Sequence, residues 1–155
     1  MGAQRALGRR PKSPGELDSV LVGLVDRLAR RLRKANRVCR TVVLRLRFDD
    51  FTRATRSHTI DRTTSETGEI LITARELLGA AMPMIRRRGV TLVGVSLGNL
   101  DSDGFVQLEL PFERRSRDAL DAGLDRIRDR FGSKAITRAV LVGRDLDPEV
   151  PLLPD

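Results

Sequence analysis

The chain contains no tryptophan or tyrosine, one histidine, one cysteine and only three lysines, Lys12, Lys34 and Lys134, among 155 residues. A lone Cys39 rules out an internal disulfide and a cysteine-rich metal site, and His58 has no Cys or His partner at ligand spacing, so a structural zinc is not expected. With five phenylalanines as its only aromatics, the chain is poorly equipped for the base stacking on which readers of single-stranded RNA depend. No apolar run approaches the roughly 20 residues of a membrane helix, and the basic amino terminus is not followed by a secretory apolar core. The expectation is a soluble, cytoplasmic protein with no membrane partner. No Gly-rich phosphate loop or nucleophile motif occurs. The nearest acidic pairs, Asp49 with Asp50 and Asp101 with Asp103, fall in turn segments where aspartate serves local hydrogen bonding, so no metal and no cofactor is expected.

Arginine fills the gap left by lysine: the formal net charge is +8 and the pI about 11.1. A guanidinium is a planar fork that matches phosphate oxygens, which points to a polyanionic partner. A tolerated cation on a solvated face is the competing explanation for any single arginine, so position decides. Hydrophobic residues make up 40% of the chain, enough for one compact domain with a real core.

Residues 1–12 are short, basic and broken by Gly2, Gly8 and Pro11, as in an edge strand. Ser13, Pro14 and Glu16 form a capping box with proline at the first helical position. Leu17, Val20, Leu21, Leu24, Val25, Leu28 and Leu32 then mark the apolar stripe of a helix ending near Asn36. Arg27, Arg30, Arg31, Arg33 and Lys34 occupy its other face, where cations complement the helix dipole. Residues 38–48 alternate, with Val42, Leu44, Leu46 and Phe48 on one face and Thr41, Val43, Arg45 and Arg47 on the other. Asp49 and Asp50 turn the chain into a second strand over 51–60. A second helix begins between Thr63 and Gly68, and Pro83 is expected to kink it or end it early. A strand spans Val90–Leu97, a loop Asn99–Gly104, and a short extended piece residues 106–112. Ser116 reads as the cap of a third helix with the stripe Leu120, Leu124, Ile127 and Phe131, and Ala135–Val142 reads as a last strand. The tail beyond it carries Pro148, Pro151 and Pro154. This order predicts an α+β fold: an antiparallel four-stranded sheet with two long helices on one face, plus a C-terminal helix and short strand. The other face, with Arg45 and Arg47, is left open to a ligand.

The segments FTRATRSHTI (51–60), RRGVTLVGVSLGNL (87–100), QLELPF (107–112) and FGSKAITRA (131–139), in this order, resemble the carboxy-terminal third of Y-family translesion polymerases of the DNA polymerase IV (DinB) type. The resemblance implies a little-finger domain that holds primer-template duplex by its phosphates, beside a catalytic core whose magnesium-binding palm is absent here. It implies DNA contacts at Thr55, Arg56, Ser57 and Thr59, which match the family's T-R-S-x-T strand, at Thr91 and Ser96 flanking the next strand, and at Arg5 and Arg9 in the opening one, with Arg45 and Arg47 from the open face. Hydroxyls stand at Thr91 and Ser96 where the family often has cations, and the opening strand departs further from the pattern.

QLELPF resembles the Q-L-x-L-F pattern by which bacterial polymerases dock on the sliding clamp, with Pro111 inserted. Gln107 would anchor the peptide while Leu108, Leu110 and Phe112 fill an apolar pocket. An edge strand with Leu108 and Leu110 packed inward is the alternative. The expected division is a DNA-binding domain over 1–106, a docking motif over 107–112, a C-terminal helix and strand over 113–142 packed on or beside the domain, and a flexible tail over 143–155. The competing function is a clamp- or protein-interaction module whose basic face is incidental.

Overall fold

The computed structural model describes residues 1–102 and 114–143, with side chains described from residue 117 onward in the second span. The elements are β1 (Gly2–Ala6), α1 (Pro14–Lys34), β2 (Arg37–Arg47), β3 (Arg53–Thr64), α2 (Thr67–Arg88), β4 (Leu92–Gly98), β5 (Asp101–Ser102) and α3 (Arg114–Phe131), followed by a 3₁₀ turn at Ala139–Leu141. The strand order is β1-β4-β2-β3, every pair antiparallel, with the two-residue β5 added against the start of β2 inside the predicted loop. The expected α+β class and four-stranded path are therefore observed, with α1 and α2 packed on one face.

The alternation in β2 places Val42, Leu44, Leu46 and Phe48 in the core, with Val93, Val95 and Leu97 of β4 beside them and Leu17, Leu21, Val25, Leu28 and Leu32 of α1 above. Each such side chain contributes about 1.5–3 kcal/mol on burial. The capping box of α1 forms as its residues predict: Glu16 N–H donates to Ser13 Oγ (3.2 Å) and Ser13 N–H to Glu16 Oε2 (2.9 Å). Cys39 lies in this core, and burial pushes its thiol up to about 12.

Three sequence expectations need correction. Pro83 does not end α2, which continues to Arg88. Proline leaves the carbonyl four residues earlier without a donor, and here both Pro83 and Gly79 face solvent, so that group is left open to solvent while the buried Ala81 and Ile85 hold the helix to the core. Helix α3 starts at Arg114, so Ser116 lies inside it and is not its cap. Residues 135–142 form no strand: this segment crosses α1 on the helical layer, away from any sheet edge, and closes as a 3₁₀ turn in which Leu141 N–H donates to the Arg138 carbonyl (2.8 Å).

The stripe of α3 also faces the unexpected way. Leu120 and Phe131 are 62% and 68% exposed, while Asp121 and Arg128 are each 6% exposed. The helix is held by its polar side. Arg33 Nε and Nη2 form a fork on Asp125 (2.7 and 3.2 Å), and Arg33 Nη1 reaches Asp121 (3.3 Å). Asp129 takes Arg30 (2.7 Å) and Lys34 (2.9 Å), and Arg128 pairs with Asp26 (2.8 Å). The cations of α1 thus hold a second helix besides facing their own dipole.

Candidate nucleic-acid interface

Residues directly opposite in an antiparallel pair share a face, so the register of β1-β4-β2-β3 writes the open surface as rows. One row runs Gln4, Gly94, Arg45, Thr55; the next Gly2, Ser96, Val43, Ser57; a third Gly98, Thr41, Thr59; and the last Ala6, Leu92, Arg47, Arg53. No aspartate or glutamate occurs anywhere in these paired segments. The surface is helix-free, because α1 and α2 both pack behind it. Gly94 leaves its centre without a side chain, and a Cβ there would stand 3.3 Å from Gln4 Cβ and 3.6 Å from Arg45 Cβ.

The sheet brings together Arg45, Arg47, Thr55, Ser57, Thr59 and Ser96 of the expected residues. Arg45, Thr55, Ser57 and Thr59 are exposed, and Arg47 and Ser96 half-buried. Arg56 and Arg5 lie elsewhere: Arg56 is opposite Leu44 and Arg5 opposite Val93, both core-facing positions, so these arginines project from the helix side at the sheet's margins. Thr91 precedes β4 and is buried. Its hydroxyl reaches the carbonyls of Arg47 (3.2 Å) and Phe48 (3.4 Å) and accepts from Arg47 Nε (3.4 Å); it steadies an arginine of the face from beneath. Arg9 lies over the Phe51 ring, 5.1 Å from its centroid, at the hairpin end. Gln107, Leu108, Leu110 and Phe112 fall outside the described residues.

Sequence reasoning missed Arg53 and Gln4 as members of the face and left Thr41 without a role. The signal for Arg53 was the hairpin: once Asp49 and Asp50 turn the chain, Arg47 comes opposite residue 53. Thr41 links the strands, its hydroxyl 3.2 Å from that of Thr59 and accepting from Asn99 Nδ2 (2.8 Å).

Arg47 and Arg53 are like charges directly opposite, an arrangement that costs about 0.2–1 kcal/mol. Neither they nor Arg45 has an ion-pair partner among the described residues. The acids of the hairpin turn do not offset them. Asp50 accepts from Thr52 and pairs with Arg88 (2.6 Å) at the end of α2, and these bonds hold its carboxyl at about 2. Cross-strand rows without a carboxylate, carrying facing guanidiniums and ranked hydroxyls, suit a chain of phosphates, although the exposed Asp61 stands farther along β3.

The model of the impB/mucB/samB family C-terminal domain matches residues 1–110. DNA polymerase IV 2 of Mesorhizobium japonicum is 35% identical over 148 residues, covering 87% of this chain and 36% of that protein. DNA polymerase IV of Moorella thermoacetica is 37% identical over 141 residues, covering 90% and 34%. The chain spans about a third of the length of these curated relatives. Among solved structures, the complex of the beta-clamp processivity factor and the little finger domain of PolIV aligns with TM-score 0.52 and 26% identity, covering 72% of this chain and 97% of that one. The post-insertion binary complex of Dbh DNA polymerase shares the fold with TM-score 0.56 at 17% identity, covering 65% and 28%. Matched in this way over most of its length, the chain belongs to the impB/mucB/samB C-terminal-domain family, as a little finger of the DNA polymerase IV type.

Proposed function

We propose that the open sheet face binds duplex primer-template DNA by its phosphates, without reading sequence, on behalf of a translesion polymerase whose catalytic palm and magnesium ions belong to the rest of the parent protein. The carrying observation is the pairing of Arg47 with Arg53 beside Arg45 on a surface with no acid in its rows. Arg45, Arg47 and Arg53 supply charge, and Thr55, Ser57, Thr59 and Ser96 supply short donors. Phosphate contacts of this kind position a duplex and leave it free to slide. The chain itself contributes binding, not chemistry. QLELPF is proposed as the docking peptide for a bacterial sliding clamp, with Gln107 as anchor and Leu108, Leu110 and Phe112 as its apolar contacts. The solved clamp complex of a PolIV little finger supports that partner.

The test is a fluorescence-anisotropy titration of labelled primer-template duplex at two salt concentrations, with a clamp titration in parallel. Duplex affinity is expected to fall steeply with salt. Arg45→Ala and Arg53→Ala should each weaken it for all sequences alike and flatten the salt slope by about one, while Gln107→Ala and Leu110→Ala leave it unchanged and abolish clamp binding. Duplex binding indifferent to both arginines would reduce the domain to a clamp-interaction module with an incidental basic face.

A further inference from the structure

Of the two phenylalanines exposed among the described residues, Phe51 alone borders the sheet, in the turn between β2 and β3. It is 66% exposed and takes no part in the core. Its backbone is left-handed, with φ 64°, a conformation that a bulky residue keeps only when its surroundings impose it. The turn does so: Phe51 N–H donates to the Phe48 carbonyl (3.0 Å), Phe48 N–H to the Thr52 carbonyl (2.9 Å), and Asp50 accepts the Thr52 N–H (3.0 Å). Glycine or asparagine would occupy this position with less strain. The hairpin thus holds an aromatic ring out into solvent on a pinned backbone, with no packing use for it.

One face of the ring is already taken. Arg9 lies over it, 5.1 Å from the centroid, as the π electrons favour, so the exposure belongs to the opposite face and the edge. The ring adjoins the cross-strand row of Ala6, Leu92, Arg47 and Arg53. Arg53 follows it by two residues, at most about 7 Å of chain. Asp50 is paired with Arg88 (2.6 Å) and Asp49 is half-buried, whereas Arg9 and Arg53 are exposed and form no ion pair among the described residues. A flat apolar face beside an exposed guanidinium suits a nucleotide, whose base stacks while its phosphate meets the charge. Bases inside a duplex are stacked on one another and present no free face; an unpaired base does. A single ring holds a single base, in keeping with a chain too poor in aromatics to track a long single strand.

We propose that Phe51 is the stacking platform for one unpaired nucleobase, where a duplex lying on the sheet gives way to single strand, with Arg53 taking that nucleotide's phosphate and Arg9 backing the ring. The proposal rests on the sheet face being the duplex site.

The test uses the full chain and three dye-labelled ligands: a blunt duplex, the same duplex with a short adenine overhang on the template strand, and the same duplex with an abasic overhang of equal length. Anisotropy titrations should show the adenine overhang bound at least about fivefold more tightly than the other two, the lower end for one base on an aromatic ring, and the Phe51 ring protons should shift upfield in NMR spectra with that ligand alone. Phe51→Leu, which keeps apolar bulk without a π face, should erase the gain and leave blunt-duplex affinity unchanged. Arg45→Ala should weaken all three ligands together. Equal affinity for adenine and abasic overhangs, or a gain that survives Phe51→Leu, would overturn the platform and leave the sheet face standing as the duplex site. Blunt-duplex binding indifferent to Arg45→Ala would overturn the sheet reading and the platform with it. The abasic comparison needs no variant, so the outcome does not depend on how well Phe51→Leu folds.

Discussion

Gly89 closes α2 at φ 65° and ψ 162°, a backbone region that belongs almost wholly to glycine. A Cβ there would stand 2.6 Å from Asp49 Cγ. Gly89→Ala is therefore expected to destabilise the domain by about 1–3 kcal/mol, or more if Asp49 does not yield, as measured by urea unfolding. Asp50 gives a prediction in pH. Its folded carboxyl sits at about 2, below the unfolded value of about 3.9, so its contribution is complete above that value and is lost as the pH falls through 2. Asp50→Asn should unfold more readily than the parent chain above pH 4, and the difference should vanish near pH 2; a constant difference across that range would refute the assignment. At this scale the chain was unevenly readable. Ser13 and Glu16 announced their capping box because both partners lie within four residues, whereas Thr91 bonds a carbonyl 44 residues away, and no local pattern encodes that.

Among the elements, β2 was the most transparent, since period-two alternation maps directly onto the two faces of a sheet. Arg56 shows the limit of that reading. A motif match grouped it with Thr55 and Ser57, yet neighbours on a strand point to opposite sides, and only the register with β2 separates them. Helix α3 misled for a different reason. Its stripe of Leu120, Leu124, Ile127 and Phe131 has the period of a core-facing helix, but the intervening Asp121, Asp125 and Arg128 find complementary charges on α1, and these ion pairs set its orientation. Removing one member of such a buried pair typically costs about 3–5 kcal/mol, because the partners are left uncompensated. Arg33→Ala, which strands Asp121 and Asp125, should fall in that range by chemical denaturation and should increase amide exchange in α3 before the sheet. Unchanged exchange in α3 would show that something other than these pairs holds it.

For the molecule as a whole, the positive charge is divided between two uses. Arg30 and Arg33 of α1 are spent on aspartates of α3, while Arg45, Arg47 and Arg53 are left facing each other or solvent. This division predicts opposite effects on stability and binding: Arg53→Thr should stabilise the free domain by about 0.2–1 kcal/mol by relieving the cross-strand repulsion, yet weaken its hold on duplex. A variant that loses on both counts would mean that Arg53 has a structural partner on the face. Among the described residues no helix is long and apolar enough to cross a membrane.

Asp121 also joins parts of the fold that are distant in sequence. Its Oδ2 accepts the Thr67 N–H (2.8 Å) and an Arg33 proton (3.3 Å), and Arg33 in turn donates to the Ser65 carbonyl (2.9 Å). The first turn of α2, whose own cap residue Glu66 offers no side-chain bond, is thereby finished by the third helix, at the corner where β3 ends. A tug on α3 is felt at the root of the strand that carries Thr55, Ser57 and Thr59. If occupancy of the strand is coupled to α3 through these bonds, linkage requires the effect to run both ways: duplex binding is then expected to slow amide exchange in α3.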